Sequence, residues 1–88
     1  MSHPEVVMYT KPRCSWCTRA RALFSAKGIP FTDIDVEQVP GRRDEMRARS
    51  GRDTVPQIFI CGHHVGGYED AHALDQSGEL DQLLATAC

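Results

Sequence analysis

The chain has 88 residues, which fits one domain near the lower limit for a self-sufficient core. Hydrophobic residues make up 41% and charged residues 25%, the balance of an ordinary globule, and the formal net charge of -2 argues against nucleic-acid or anionic-membrane partners. No apolar run approaches the ~18 residues of a membrane helix, and the polar start Met1-Ser2-His3-Pro4-Glu5 lacks the pattern of a secretory signal; the expectation is a cytoplasmic, monomeric single domain over residues 1–88.

In chain order, Val6-Val7-Met8-Tyr9 is a short apolar run that suits a strand buried on both faces. Lys11 to Cys14 is a turn punctuated by Pro12. Trp16 to Lys27 has helical composition, with Ala20, Leu23 and Phe24 on one side, and Gly28 followed by Pro30 ends it. Thr32, Ile34 and Val36 alternate with Asp33 and Asp35, the period of a second strand. Pro40-Gly41 opens a basic helix over about 42–50 that stops at Gly51. Its arginines, together with Arg52, are interleaved with Asp44, Glu45 and Asp53, which reads as a solvated face rather than a nucleic-acid patch.

Gln57-Ile58-Phe59-Ile60 and His64-Val65 form two further strands joined by a tight turn at Cys61-Gly62. Gly66-Gly67 leads into a closing helical region lined by Ala71, Leu74, Leu80, Leu83 and Leu84, which Ser77-Gly78 divides in two. The pattern β-α-β-α-β-β-α calls for an α/β fold. Its first strand–helix–strand unit makes two parallel strands, and the closing hairpin adds antiparallel strands to one mixed four-stranded sheet flanked by helices.

Cys14 ends the loop after the first strand and Cys17 lies in the first turn of the following helix. Residues three apart on a helix are neighbours, and a disulfide wants Cα atoms about 4.4–6.8 Å apart. The placement makes the two sulfurs unequal. Cys14 faces the free N–H groups at the positive end of the helix, which stabilise a thiolate, with Lys11 and Arg13 close in sequence. A thiolate stabilised in this way leaves a mixed disulfide readily, which suits repeated transfer of a thiol adduct. The competing reading is a structural zinc site, which usually needs four ligands. The remaining candidates are Cys61, Cys88, His3, His63, His64 and His72. His63 and His64 are adjacent on a strand and point to opposite faces, so redox chemistry is favoured.

Three segments carry a resemblance: Tyr9-Thr10-Lys11-Pro12-Arg13-Cys14-Ser15-Trp16-Cys17, Thr54-Val55-Pro56-Gln57-Ile58-Phe59-Ile60, and Gly66-Gly67-Tyr68-Glu69-Asp70. In order and spacing they resemble the glutaredoxin family, and most of all its small bacterial dithiol members. The resemblance implies a thioredoxin-like fold and a glutathione-dependent thiol–disulfide oxidoreductase. Cys14 is then the attacking thiol that carries glutathione, and Cys17 the resolving thiol. It further implies that Lys11 and Arg43 approach the glycine carboxylate and that Trp16 lies beside the adduct. Thr54, Val55 and Pro56 supply a loop whose proline is cis and whose Val55 backbone pairs with the cysteinyl unit, while Gly67, Tyr68, Glu69 and Asp70 hold the γ-glutamyl end. Asp70 is expected to be free for the ligand's ammonium, with helix capping as its other role.

The implied partners are glutathione and glutathionylated or disulfide-containing proteins, ribonucleotide reductase among them. The chain departs from the family at Ser15-Trp16, where Pro-Tyr is common, and at Tyr68, where Cys is common. Ser15 loosens the first helical turn and adds a hydroxyl able to donate to a sulfur. Family members without that proline include some that hold a [2Fe-2S] cluster between two subunits, which makes a cluster carrier the alternative function. A redoxin fed by thioredoxin reductase is a further alternative. Cys61 and Cys88 are read as bystanders.

Overall fold

The computed structural model describes residues 4–85. Four strands, β1 (Val6–Thr10), β2 (Thr32–Asp35), β3 (Gln57–Ile60) and β4 (His63–Gly66), form one sheet in the order β2-β1-β3-β4. β1 and β2 run parallel, with Tyr9 opposite Ile34; β3 lies antiparallel to β1, with Met8 opposite Ile58, and β4 antiparallel to β3. The helices are α1 (Ser15–Ala26), α2 (Arg42–Ser50), α3 (Tyr68–Ser77) and α4 (Glu79–Ala85). This is the mixed sheet expected of the sequence, including the division of the last helical region at Gly78, whose φ is +85°.

Strand alternation sorts side chains onto two faces. Val6, Met8, Ile58 and Ile60 point to one side, where they pack against Ala20 and Phe24 of α1, Ala71 of α3, and Leu80 and Leu84 of α4. Tyr9 and Phe59 point to the other and meet Met46 of α2 with Val36. The central strands are therefore apolar from Val6 to Tyr9 and from Ile58 to Ile60 because both of their faces are covered. α2 has one buried residue, Met46, and is secured by polar contacts as well. The buried Tyr9 hydroxyl donates to Glu45 and accepts from Arg49 Nη1 at 2.8 Å, and the Arg49 guanidinium lies 4.2 Å over the Phe59 ring.

Of the boundaries that shift from the sequence reading, two have a plain local cause. α1 begins at Ser15 rather than Trp16, because Cys14 itself is the N-cap. Val36 falls outside β2, although its N–H donates to Thr10 O at 2.9 Å. There Asp35 Oδ1 accepts from the N–H groups of Glu37 and Gln38 and turns the chain out of the sheet. No described helix is long and apolar enough to cross a membrane.

Candidate functional site

The site forms where β1 ends and α1 begins. The chain leaves β1 through Lys11-Pro12-Arg13, with Arg13 in the left-handed region at φ 59°, and Cys14 follows in extended conformation as N-cap of α1. Its sulfur takes the place of a capping oxygen: Cys14 Sγ accepts from the Cys17 N–H at 3.1 Å. The positive end of the helix, with its first-turn N–H groups, therefore faces this sulfur. Cys14 Sγ also lies 4.0 Å from Val55 O, across from the neighbouring loop. The Ser15 hydroxyl, expected as a donor to sulfur, is not among the partners of either cysteine; it occupies the first helical position only.

Cys17 is wholly buried. Burial pushes its thiol up to about 12, and its hydrogen bond to Cys14 pushes in the same direction, against the Lys11 backbone N–H and Arg21. The pair is thus asymmetric: one sulfur reaches the surface, and the other sits behind it holding its proton. Both are free thiols.

Two adjoining clefts open at this end of the sheet. One, of about 360 Å³, holds Cys14 with Lys11, Arg13 and Arg43. The other, of about 290 Å³, is walled by Pro56, Gly67, Tyr68, Glu69, Asp70 and Arg52. Trp16, Thr54 and Val55 line both and make them one groove. Trp16 is a wall of this groove and not a core anchor. It is 44% exposed, leans on Tyr68 at 5.8 Å between centroids, and carries the Arg19 guanidinium 4.8 Å above its ring. The Val55-Pro56 bond is cis, as the resemblance implied.

The ten residues expected at glutathione and Cys14 all lie along this groove, with Cys17 behind it. Three particulars differ from expectation. Asp70 is not free: its Oδ2 accepts from the Gly67 N–H at 2.9 Å and from Arg52 Nη1 at 2.9 Å, and the Arg52 bond holds its carboxyl below the usual range. Arg52 is not part of a solvated helix face. The chain reverses through left-handed Gly51, at φ +71°, and delivers Arg52 to the groove. Arg43 does reach the Cys14 cleft, but Nη1 is shared with Asp53 at 3.1 Å.

Gln57 was also missed. Fully buried, it donates to Thr54 O at 3.0 Å and Thr54 Oγ1 at 3.2 Å while its Oε1 meets His64 Nε2 at 2.7 Å, so it braces the loop before Pro56 from beneath. A polar residue opening an otherwise apolar strand was its one visible signal. Of the two glycines before α3, Gly66 is the constrained one: its φ is +118° and an added Cβ would stand 2.3 Å from Asp70 Oδ2, whereas Gly67 has φ -86°. Among the described residues no group of three or more His, Cys, Asp or Glu stands together as a metal site; the zinc candidates His3 and Cys88 lie outside them.

Comparison with known proteins bears on this geometry. The family model described as Glutaredoxin matches residues 6–65. Glutaredoxin 3 of Escherichia coli strain K12 is 51% identical over 79 residues, covering 90% of this chain and 95% of its own length. The solution structure of glutaredoxin from Brucella melitensis matches with a TM-score of 0.82 at 50% identity, over 96% of this chain and 91% of that one. The buckwheat glutaredoxin–glutathione complex matches with a TM-score of 0.85 at 27% identity, over 92% of this chain and 76% of the other.

Proposed function

The chain belongs to the glutaredoxin family, whose members are thiol–disulfide oxidoreductases, and we propose that it uses glutathione to reduce protein–glutathione mixed disulfides and protein disulfides through Cys14. The observation that carries this reading is the asymmetric pair: a reachable Cys14 sulfur capped by a helix N–H beside a groove, and Cys17 buried behind it.

The Cys14 thiolate attacks the glutathionyl sulfur of a protein mixed disulfide. The old S–S bond breaks, its electron pair leaves on the target's sulfur, and a Cys14–glutathione disulfide forms. A second glutathione thiolate attacks the glutathionyl sulfur of that adduct, forms oxidised glutathione and returns the electron pair to Cys14. The helix N-terminus eases this second departure, since a stabilised thiolate leaves faster. In the dithiol route Cys14 attacks a protein disulfide. Cys17 then gives up its proton and attacks Cys14, which releases the target's thiolate and leaves a Cys14–Cys17 disulfide for two glutathione molecules to reduce.

The groove suits a tripeptide bearing two carboxylates. Lys11 and Arg43 stand at the Cys14 end and Arg52 at the other, with the Trp16 and Tyr68 rings between. Lys11, Trp16, Arg43, Thr54, Val55, Pro56, Gly67, Tyr68, Glu69 and Asp70 are the proposed glutathione-binding residues. One domain over 1–88, acting in the cytoplasm on glutathionylated proteins, completes the reading. A [2Fe-2S] cluster takes four ligands, mostly thiolates. Among the described residues one accessible thiol, Cys14, lies at the groove, so a cluster would have to bridge two copies with glutathione as the other ligand.

The test is turnover of a small glutathione mixed disulfide with glutathione, glutathione reductase and NADPH. Cys14→Ser is expected to abolish it and Cys17→Ser to retain it while losing protein-disulfide reduction. Loss of both activities in Cys17→Ser would show the roles to be misassigned. Turnover fed only by thioredoxin reductase, or a coloured dimer from an anaerobic preparation, would replace the reading with one of the alternatives.

A further inference from the structure

Cys61, expected from the sequence to be a bystander, takes no part in the mechanism above and sits far from it. In the β1–β3 ladder Tyr9 is opposite Gln57 at the groove end and Val6 is opposite Ile60 at the other, so Cys61 leaves the sheet at the end away from Cys14. It opens the turn between β3 and β4 with φ 51°, and Gly62 follows at φ +77°. The first position of such a turn ordinarily takes Asn, Asp or Gly, so the backbone alone gives no reason for a cysteine. Its side chain is half-buried and packs on the main core, the cluster that also holds Leu80 and Leu84 of α4. The same hairpin shares a cleft with that helix, where His63 stands beside Gln82 and Leu83.

Cys61 is disulfide-bonded. The chain has four cysteines, and Cys14 and Cys17 are free thiols, so elimination leaves Cys88 as its partner. Cys88 lies outside the described residues, shortly after Ala85, the last residue of α4. Three residues of chain span up to about 10 Å, enough to return a sulfur to the turn from a helix seated on the same core. We propose that Cys61 and Cys88 form a second redox pair, separate from the catalytic one, whose disulfide closes when the glutathione pool is oxidised and fastens the chain beyond α4 to the β3–β4 turn. Disulfides of intracellular proteins are for the most part catalytic or redox-sensing, and this one is remote from Cys14. Closure is thiol–disulfide exchange with glutathione disulfide. One thiolate of the pair attacks it, forms a mixed disulfide and releases a glutathione thiolate. The other thiolate then attacks the cysteine sulfur of that mixed disulfide, closes the bond and expels the second glutathione thiolate. The pair loses two electrons, glutathione disulfide gains them, and the pair's protons end on the two glutathione thiols. The closed bond encloses β4, α3 and α4 in one loop, which removes freedom from the unfolded chain and so stabilises the fold.

The full chain is incubated with glutathione disulfide, unfolded in iodoacetamide and digested with trypsin. No lysine or arginine follows Arg52, so both sulfurs fall in one peptide, Asp53 to Cys88. That peptide is expected to carry no label, to be lighter than the dithiol by a pair of hydrogens, and to take a label on each sulfur once dithiothreitol has opened the bond. Labels on both sulfurs before reduction, or glutathione on either with no internal bond, would overturn the proposal. Melting is read in a Cys14→Ser, Cys17→Ser background, where the catalytic pair cannot close. There glutathione disulfide should raise the melting temperature by about 10–20 °C over the reduced protein. Cys61→Ser and Cys88→Ser should each remove that rise, and both together should do no more than either alone; a rise that survives Cys88→Ser would sink the pair. With Cys14 and Cys17 intact, Cys61→Ser and Cys88→Ser should keep glutathione turnover, and its loss in both would show that the two pairs are not separate. No turnover by the wild type would overturn the glutathione reading and leave this pair standing.

Discussion

The asymmetry of the two sulfurs leads to a prediction with a number attached. With its thiol pushed up to about 12, Cys17 has an ionised fraction at pH 7 on the order of 10⁻⁵, against about 3% for a free cysteine near 8.5, a deficit of about 3,000-fold. A more basic thiolate is also more nucleophilic. A Brønsted slope of about 0.45 over about 3.5 pH units returns roughly 40-fold. The net expectation is that native Cys17 reacts with iodoacetamide about 80-fold more slowly than free cysteine, before any obstruction by its complete burial. Trypsin releases both sulfurs in one peptide, Cys14 to Arg19, and fragment ions tell which of them carries the label. One equivalent at Cys14, with Cys17 modified only after unfolding, is the expected result. Comparable labelling of the two cysteines in native protein would refute the electrostatic account of the pair.

Three further perturbations follow from the packing. Gly66→Ala should cost about 1–3 kcal/mol from its φ of +118° alone, displace Asp70 and raise the KM for glutathione; an unchanged melting temperature would contradict the close approach. Phe24→Ala removes a ring with no exposure from the main core and should cost about 3–5 kcal/mol, a large share of the stability of so small a domain, read as loss of the cooperative melt near room temperature. Burial, with help from Arg52, holds the His64 imidazole below its ordinary value. The unfolded chain therefore binds this proton first as pH falls. The stabilisation is full above about pH 6.5 and is lost below it. His64→Asn should flatten the fall in melting temperature between pH 7 and 5, and an unaltered slope would remove His64 from the account.

Much of the fold was legible because burial writes itself into periodicity. Ile58-Phe59-Ile60 is apolar without interruption since Ile58 and Ile60 face one core and Phe59 the other. Gly28, Gly51 and Gly78 all take positive φ, which is why glycine marked the helix ends so well. The Cys14–Cys17 spacing announced a helix N-terminus for the same local reason. What stayed hidden depends on direction rather than on residue type. Arg52 is continuous in composition with the helix arginines before it, and only the left-handed turn at Gly51 sends it into the groove. Gln57 looked like the edge of an apolar strand until Thr54 and His64 were found within bonding distance. Asp70 was recognised as a ligand or a cap, but its cation lies 18 residues back in sequence, beyond any local pattern.

The environment that silences Cys17 also sets when it can act in the proposed dithiol route. Its two main restraints are burial and the hydrogen bond to Cys14, with the charge on Cys14 as a smaller one. Once Cys14 enters a mixed disulfide, its sulfur is neutral and a poor acceptor, so two of these restraints lapse together. Burial then stands against the Lys11 backbone N–H and the Arg21 guanidinium. Arg21 lies one helical turn beyond Cys17 and is held by Asp33 at 2.6 Å, which Thr10 Oγ1 in turn bonds from β1. Cys17 is therefore eased toward its thiolate only when a disulfide bond stands next to it to attack. Direct transfer of glutathione to and from Cys14 needs none of this, which is why removing the buried sulfur should separate the two activities.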